Sequence, residues 1–210
     1  LVGSEMCIRD RPSPFLPFTV KKPIRNLNDV KGFKMIASGG PPTEMWKALG
    51  AVPLNVAPAD YYSALEKGIA EGFNFAWAGM ESYRLFEVCR YWTDLPTTAS
   101  TYAISMNLDK WNSLPADIQQ QIMSVSGRYG ARFSSNAWPA DEKDIILGNV
   151  AKQGLTCQKV ELDPGEYDKF VQTGGKPIWD KYVAESEAKG LAGKKVLDEL
   201  LRLLDKYRIR

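Results

Sequence analysis

The sequence predicts an α/β fold with a mainly parallel sheet and helices on its faces. Two observations predict it. From Ile24 onward, short apolar strand patterns alternate with helical ones, and the connections between them are only a few residues long. A third observation sets the bounds. With 210 residues, 44% hydrophobic and 25% charged, the chain has ordinary globular composition and room for one large domain or two small ones. Those figures exclude collagen-like, disordered and disulfide-scaffold classes. No apolar run approaches the roughly 18 residues of a spanning helix, so no stable membrane insertion is expected. Lys and Arg number 27 against 25 Asp and Glu, a net +2 that gives no nucleic-acid footprint. Histidine is absent, which removes imidazole as base, shuttle or metal ligand, and with it most hydrolase and zinc chemistry.

Taken in order, the chain opens Leu1-Val2-Gly3-Ser4-Glu5-Met6-Cys7-Ile8-Arg9-Asp10-Arg11. This stretch lacks the basic start and apolar centre of a secretory signal. It resembles a translated sequencing adapter, so the protein proper is expected to begin near Pro12 with its upstream part lost. Pro12 to Thr19 is proline-rich and reads as an extended linker or a severed crossover. Asn28-Asp29 starts a short helical turn ended by Gly32, and Phe33 to Ala37 is a strand. Pro42 opens a helix carrying Met45, Trp46 and Leu49 and closed by Gly50. Ala51 to Val56 is a second strand. Pro58 to Asp60 opens a helix with Tyr61, Leu65 and Ile69 on one face. Phe73 to Trp77 reads as a third strand or strand-like loop. Ala99 to Met106 is a further strand candidate. From Leu114-Pro115, the spacing of Ile118, Ile122, Val125, Tyr129 and Phe133 predicts one continuous apolar stripe on a long helix. That helix runs past Trp138 to about Val150, with Pro139 kinking or dividing it. Leu155 to Val160 is a short strand, and helices over Pro164–Gln172, Pro177–Lys189 and Lys194–Lys206 complete the chain. Leu197, Leu200, Leu201 and Leu204 should dock the last of these on the body.

In a parallel sheet, ligands sit beyond the carboxyl ends of the strands. Here those ends are Ile36–Gly40, Val56–Pro58 and Phe73–Trp77. Ser38-Gly39-Gly40 reads either as a tight turn or as a cradle of N–H groups for an anion. Phe73, Phe75 and Trp77, at i, i+2 and i+4, share one strand face; they read equally as sheet core or as a ligand wall. Glu66 with Glu71, and Glu185 with Glu187, lie among lysines as solvated faces. Trp46, Trp92, Trp111 and Trp138 read as core or amphipathic packing residues. Beyond the adapter-like stretch, Cys89 and Cys157 lack CxxC spacing and read as structural thiols. No Walker A, GxGxxG, GxSxG or EF-hand pattern exists, so no cofactor and no metal are expected.

Several stretches then combine in order and spacing. They are Lys22-Pro23-Ile24-Arg25-Asn26-Leu27-Asn28-Asp29-Val30-Lys31-Gly32-Phe33-Lys34, Leu49-Gly50-Ala51-Val52-Pro53, and Tyr62-Ser63-Ala64-Leu65-Glu66-Lys67-Gly68-Ile69-Ala70-Glu71-Gly72. Phe86 to Thr93, Asn107 to Trp111 with Leu114-Pro115, and Ala188 to Gly193 follow. Together they resemble the DctP-type substrate-binding proteins of tripartite ATP-independent periplasmic (TRAP) transporters, over about Lys21 to Tyr207. The resemblance implies a periplasmic-binding-protein-like α/β fold of two lobes, with the first lobe largely missing from this chain. Residues 1–19 would be adapter and linker, 20–103 and 145–210 the second lobe, and 104–144 a strand and long crossover helix reaching to the first lobe. It implies a periplasmic location and a small organic acid as ligand. The partners it implies are the TRAP membrane permease subunits.

One residue departs from the family pattern. Ile36 stands where the family commonly has an arginine that clamps the substrate carboxylate with a bidentate ion pair. The family's contacting positions after Gly72 fall on Asn74 and Phe75. The expected substrate-binding set is therefore Ile36, Ser38, Gly39, Phe73, Asn74, Phe75 and Trp77, an apolar half-site suited to a bulky or aromatic acid held at its polar end by Ser38 and Asn74. Two other readings stand beside this one: a binding lobe of an ABC-type or sensory system, and an enzyme on a similar body, which the missing histidine disfavours.

Overall fold

The computed structural model describes residues 7–8, 14–37, 39–99, 103–136 and 141–206. Near the amino terminus, β1 (Cys7–Ile8) pairs antiparallel with β8 (Ala103–Ile104) apart from the main sheet. The main sheet is organised on β2 (Pro14–Thr19). On one side β2 pairs antiparallel with β5 (Gly72–Phe75); on the other it pairs with β6 (Tyr91–Thr93) and β7 (Thr98–Ala99). Beyond β5 lie β3 (Lys34–Ile36) and the edge strand β4 (Val52–Leu54), and beyond β6 lies β9 (Gln158–Val160), all parallel to their neighbours. The order β4-β3-β5-β2-β6-β9 makes β2 antiparallel to everything around it.

The linker expected over Pro12–Thr19 is thus a central strand in its described part, 14–19. Its prolines escape the usual ban because of where they fall. Pro14 is the first strand residue. Pro17, opposite Asn74, sits where the far-side partner changes from β7, which takes Pro14 and Phe15, to β6, which takes Phe18 and Thr19. No ladder bond on that side needs its missing N–H. On the next strand, a side chain at Gly72 would meet Phe18 O at 2.6 Å, so the β2–β5 approach requires glycine there.

Alternation along the strands feeds two cores. Ile36, Phe73, Leu16 and Phe18 face one cluster, covered by α3 (Tyr61–Glu66), α4 (Trp77–Ser82) and α8 (Glu142–Lys152). Met35 and Ala37 face the other, covered by α2 (Gly40–Ala48) and α9 (Glu166–Phe170). Trp46 and Trp92 are core residues, as expected. α1 (Leu27–Val30) is short but well capped: Asn26 accepts from the N–H groups of Asn28 and Asp29, and Asp29 accepts from Asn26 N–H. Gly50, at φ 91°, closes α2.

Several expected elements differ. The strand ends at Phe75, and Trp77 is the first residue of α4. α3 stops at Glu66, so Ile69 leaves the helix face and is 57% exposed. The long helix is divided into α6 (Ala116–Ser124), α7 (Gly127–Asn136) and α8, preceded by α5 (Leu108–Asn112). The first break falls at Gly127, whose φ of 58° is the left-handed conformation that ends helices; Trp138 and Pro139 lie outside the described residues. Conversely, the helices expected over 164–172 and 177–189 run together, because a π turn over Val171–Gly175 joins α9 to α10 (Lys176–Ala188). The terminal helix α11 (Gly193–Lys206) packs on α10, yet Leu200 and Leu204 stay more than half exposed, a shallower docking than its stripe predicts.

Candidate ligand-binding site

Because β2 runs against its neighbours, its start lies at the edge where β3, β5 and β6 end. This brings Phe15, at the beginning of one strand, beside Phe75, at the end of another. The rings meet edge-on at 5.8 Å. Phe75 stacks on Phe73 at 4.2 Å and 12°, and Tyr61 and Tyr83 close round it at 6.0 and 6.1 Å. Tyr61 and Tyr83 also meet edge-on at 5.3 Å. Such pairs add about 0.5–1.5 kcal/mol each beyond the area they bury. Phe15 and Phe75 are half-buried and Tyr83 is 40% exposed, so the cluster presents ring surface at the carboxyl edge.

Gly79, on α4, makes room for this. A methyl group there would overlap the Phe75 ring. Tyr61 gets its position from the 3-10 turn Pro58–Asp60 that follows β4 and leads straight into α3. Beside them, Arg84, with a left-handed φ of 57°, pairs with Glu87 at 2.6 Å, and Tyr62 Oη donates to Glu87 at 3.0 Å. Arg84 and Tyr62 hold the Glu87 carboxyl below its ordinary range, and the bond to Glu87 raises the Tyr62 hydroxyl.

The expected site residues divide between core and edge. Ile36 and Phe73 are buried at 1% and 0%, and Trp77 at 3% packs against Phe18, Phe86 and Trp92. These three hold the floor together beneath the edge. Phe75 is the member of the set that reaches the ring surface. Gly39 is exposed, but its N–H donates to Ala37 O at 3.1 Å, and Pro41 and Pro42 have no N–H to give. The loop therefore has little of the anion cradle that two glycines before a helix implied. Ser38 lies outside the described residues.

Asn74 is 1% exposed on the opposite face of β5 from its phenylalanine neighbours. Thr97 Oγ1 lies 2.7 Å from Asn74 Oδ1 and 2.8 Å from Phe15 O, while Asn74 Nδ2 is buried without a partner among the described residues. One hydroxyl proton cannot serve two acceptors. A half-turn of the amide resolves this, with Nδ2 donating to Oγ1 and Oγ1 donating to Phe15 O. Sequence reasoning missed Phe15, Tyr61, Tyr83, Gly79 and Thr97. Local pattern had no means of finding them, since they converge from separate elements.

Residues 14–186 match the model of DctP, bacterial extracellular solute-binding protein family 7. The chain belongs to this family. Among curated relatives, a solute-binding protein of Sulfitobacter sp. strain NAS-14.1 is 30% identical over 176 residues, covering 81% of this chain and 50% of the relative. The C4-dicarboxylate-binding periplasmic protein DctP of Vibrio cholerae is 22% identical over 165 residues, covering 78% and 48%. The chain thus spans about half the length of the curated relatives it matches. Among solved structures, a TRAP periplasmic solute-binding protein of Desulfovibrio salexigens superposes with a TM-score of 0.77 at 27% identity, covering 92% of this chain and 59% of that one. One from Bordetella bronchiseptica, with bound mandelate, gives 0.76 at 25% identity, covering 89% and 59%. These relatives are solute-binding proteins rather than enzymes, and the family is extracytoplasmic. No helix among the described residues is long and apolar enough to cross a membrane.

Proposed function

We propose that this chain forms one face of the ligand cleft of a TRAP solute-binding protein, which captures an organic acid with an aromatic or bulky apolar body and delivers it to a membrane permease. The observation that carries the reading is the ring surface of Phe15, Phe75 and Tyr83 at the carboxyl edge, laid over the buried floor of Ile36 and Phe73; the family resemblance implies an arginine where Ile36 stands. An aromatic acid can stack there; a small dicarboxylate finds no cation at residue 36. The mandelate-bound Bordetella relative supports the aromatic class. A Sulfitobacter relative at 26% identity, TM-score 0.69, is bound to taluronate, so sugar acids are the class to test against.

Residues 20–103 and 145–210, together with the central strand β2, serve as the second lobe in this reading, and 104–144 as the segment that packs against the first. The exposed Val125, Tyr129 and Phe133, at 58%, 62% and 68%, support that assignment, since a group of large apolar side chains left so exposed calls for a covering surface. Thermal-shift screening of the product of the complete reading frame tests the function. Mandelate and benzoate should raise the melting temperature and succinate should not. Stabilisation by C4-dicarboxylates or uronates alone would refute the ligand class.

A further inference from the structure

Cys89 and Cys157 stand just ahead of two neighbouring strands, two residues before β6 and one before β9. β6 and β9 run parallel with Tyr91 opposite Gln158, and the ladder extends one step back, where Gln158 N–H donates to Arg90 O at 2.8 Å. Cys157 therefore lies beside Arg90, one step from Cys89. Neighbouring strands lie about 4.8 Å apart, and Cys89, whose N–H closes the turn before β6 on Leu85 O at 2.8 Å, adjoins Arg90 and enters the same apolar cluster as Cys157. A disulfide spans about 4.4–6.8 Å. Cys89 is fully buried in the apolar cluster on this face, Cys157 packs against the same cluster, and both thiols are free. Burial raises both, Cys157 to about 12, and the proximity of Cys157 adds to the rise at Cys89.

We propose that Cys89 and Cys157 close a disulfide that ties the start of β6 to the start of β9. The proposal rests on the extracytoplasmic reading, because an oxidising compartment supplies the oxidant. That oxidant is a disulfide carrier, either a thiol–disulfide oxidoreductase or oxidised glutathione. While the chain is folding and both sulfurs are accessible, one thiolate attacks the carrier disulfide and expels one carrier thiolate, forming a mixed disulfide. The second cysteine thiolate then displaces the remaining carrier sulfur. Two thiol protons leave the protein and its two electrons end on the carrier, which departs reduced. After folding, the apolar packing around Cys89 withholds the bond from reductant.

The position gives the bond a purpose. The segment 104–144, read above as reaching the other lobe, follows β6 and β7 in the sheet and returns through α8 into β9. A Cys89–Cys157 bond pins the root of this excursion, so that movement between lobes is taken up beyond the tie.

A Cys7→Ser variant tests the inference, because it leaves Cys89 and Cys157 as the remaining cysteines of the three in the sequence. The variant is unfolded, refolded in a glutathione redox buffer and alkylated under denaturing conditions. The expected result is no free thiol, a monomer mass lower by two hydrogens, and a melting temperature that falls by roughly 5–15 °C when dithiothreitol is present during refolding. Two alkylated thiols, glutathione adducts or cross-linked dimers would overturn the proposal. This readout does not depend on the compartment. Protein that closes in the redox buffer yet emerges reduced from a bacterial periplasm would count against the extracytoplasmic reading and leave the pairing standing.

Discussion

Asn74 and Thr97 meet at the carboxyl edge of the sheet, side-chain amide to hydroxyl at 2.7 Å, with Thr97 also reaching Phe15 O at 2.8 Å. The contact joins β5, the start of β2 and the loop after β6. It closes the stretch of β2 where one ladder partner gives way to the next. Thr97 N–H donates to the same Phe15 carbonyl at 3.0 Å, so the threonine carries the interrupted pairing across the gap left at Pro17.

Thr97→Val keeps the shape and removes the hydroxyl. Asn74 is then buried with its amide unpaired, and the chain should lose about 1–3 kcal/mol of stability. Urea denaturation measures the loss. In a double-mutant cycle with Asn74→Ala, a coupling of about 1 kcal/mol is expected. Strict additivity would show that the two side chains do not act together.

Ile36 lies in the apolar floor at 1% exposure, paired in register with Phe73. Ile36→Ala should therefore cost about 2–4 kcal/mol, and Ile36→Val about 0.5–1.5 kcal/mol. A residue acting on ligand alone would leave the denaturation midpoint of the free protein in place. Ile36→Arg should cost more than either, since it drives a guanidinium into the apolar cluster of Leu65, Phe73 and Trp77.

Gly79 and Phe75 give a test of the ring surface that spares its chemistry. Gly79→Ala adds a methyl group where the Phe75 ring sits, and the ring must swing away from Phe73 and Tyr83. Affinity for mandelate, measured by calorimetry on the product of the complete reading frame, should fall roughly tenfold. The same affinity in the variant would remove Phe75 from the site.

The parts of this structure legible in the sequence are those whose signal is local. Phe33 to Ala37 is apolar at every position but the exposed Lys34, close to the run that a strand buried on both faces needs, and Met35, Ile36 and Ala37 do alternate between the two cores. Pro42, Met45, Trp46, Leu49 and Gly50 spell a helix with its start and stop. β2 was hidden because Pro14 and Pro17 carry the local signal of a linker. Their tolerance depends on which strands lie opposite, and that is a non-local fact. The same holds at the site. Phe75 could be placed at a strand end, but Phe15 and Tyr83 join it only through an antiparallel strand and a helix that sequence periodicity did not register. Hydrophobic spacing from Ile118 to Phe133 is regular enough to mask the break at Gly127. The stripe continues on both sides of the glycine, and backbone conformation rather than side-chain pattern divides it.

Glu166 supplies a pH-dependent tie between distant parts of the chain. One carboxylate oxygen accepts Leu27 N–H at 2.9 Å, and the other takes Lys169 Nζ at 2.6 Å. Lys169 first, and the Leu27 N–H second, hold this carboxyl below its ordinary range. The unfolded chain keeps its proton to higher pH, so between the depressed value and the ordinary one, about 4.3, the unfolded state binds more protons. Stability from Glu166 is thus fully present above that ordinary value and is lost as pH falls through the folded one. Glu166→Gln retains an acceptor for Leu27 N–H and cannot titrate. Melting temperatures recorded between about pH 3 and pH 6 should fall less steeply with acid in the variant than in the parent. Parallel curves would show that the Leu27 bond is indifferent to the charge that Lys169 balances.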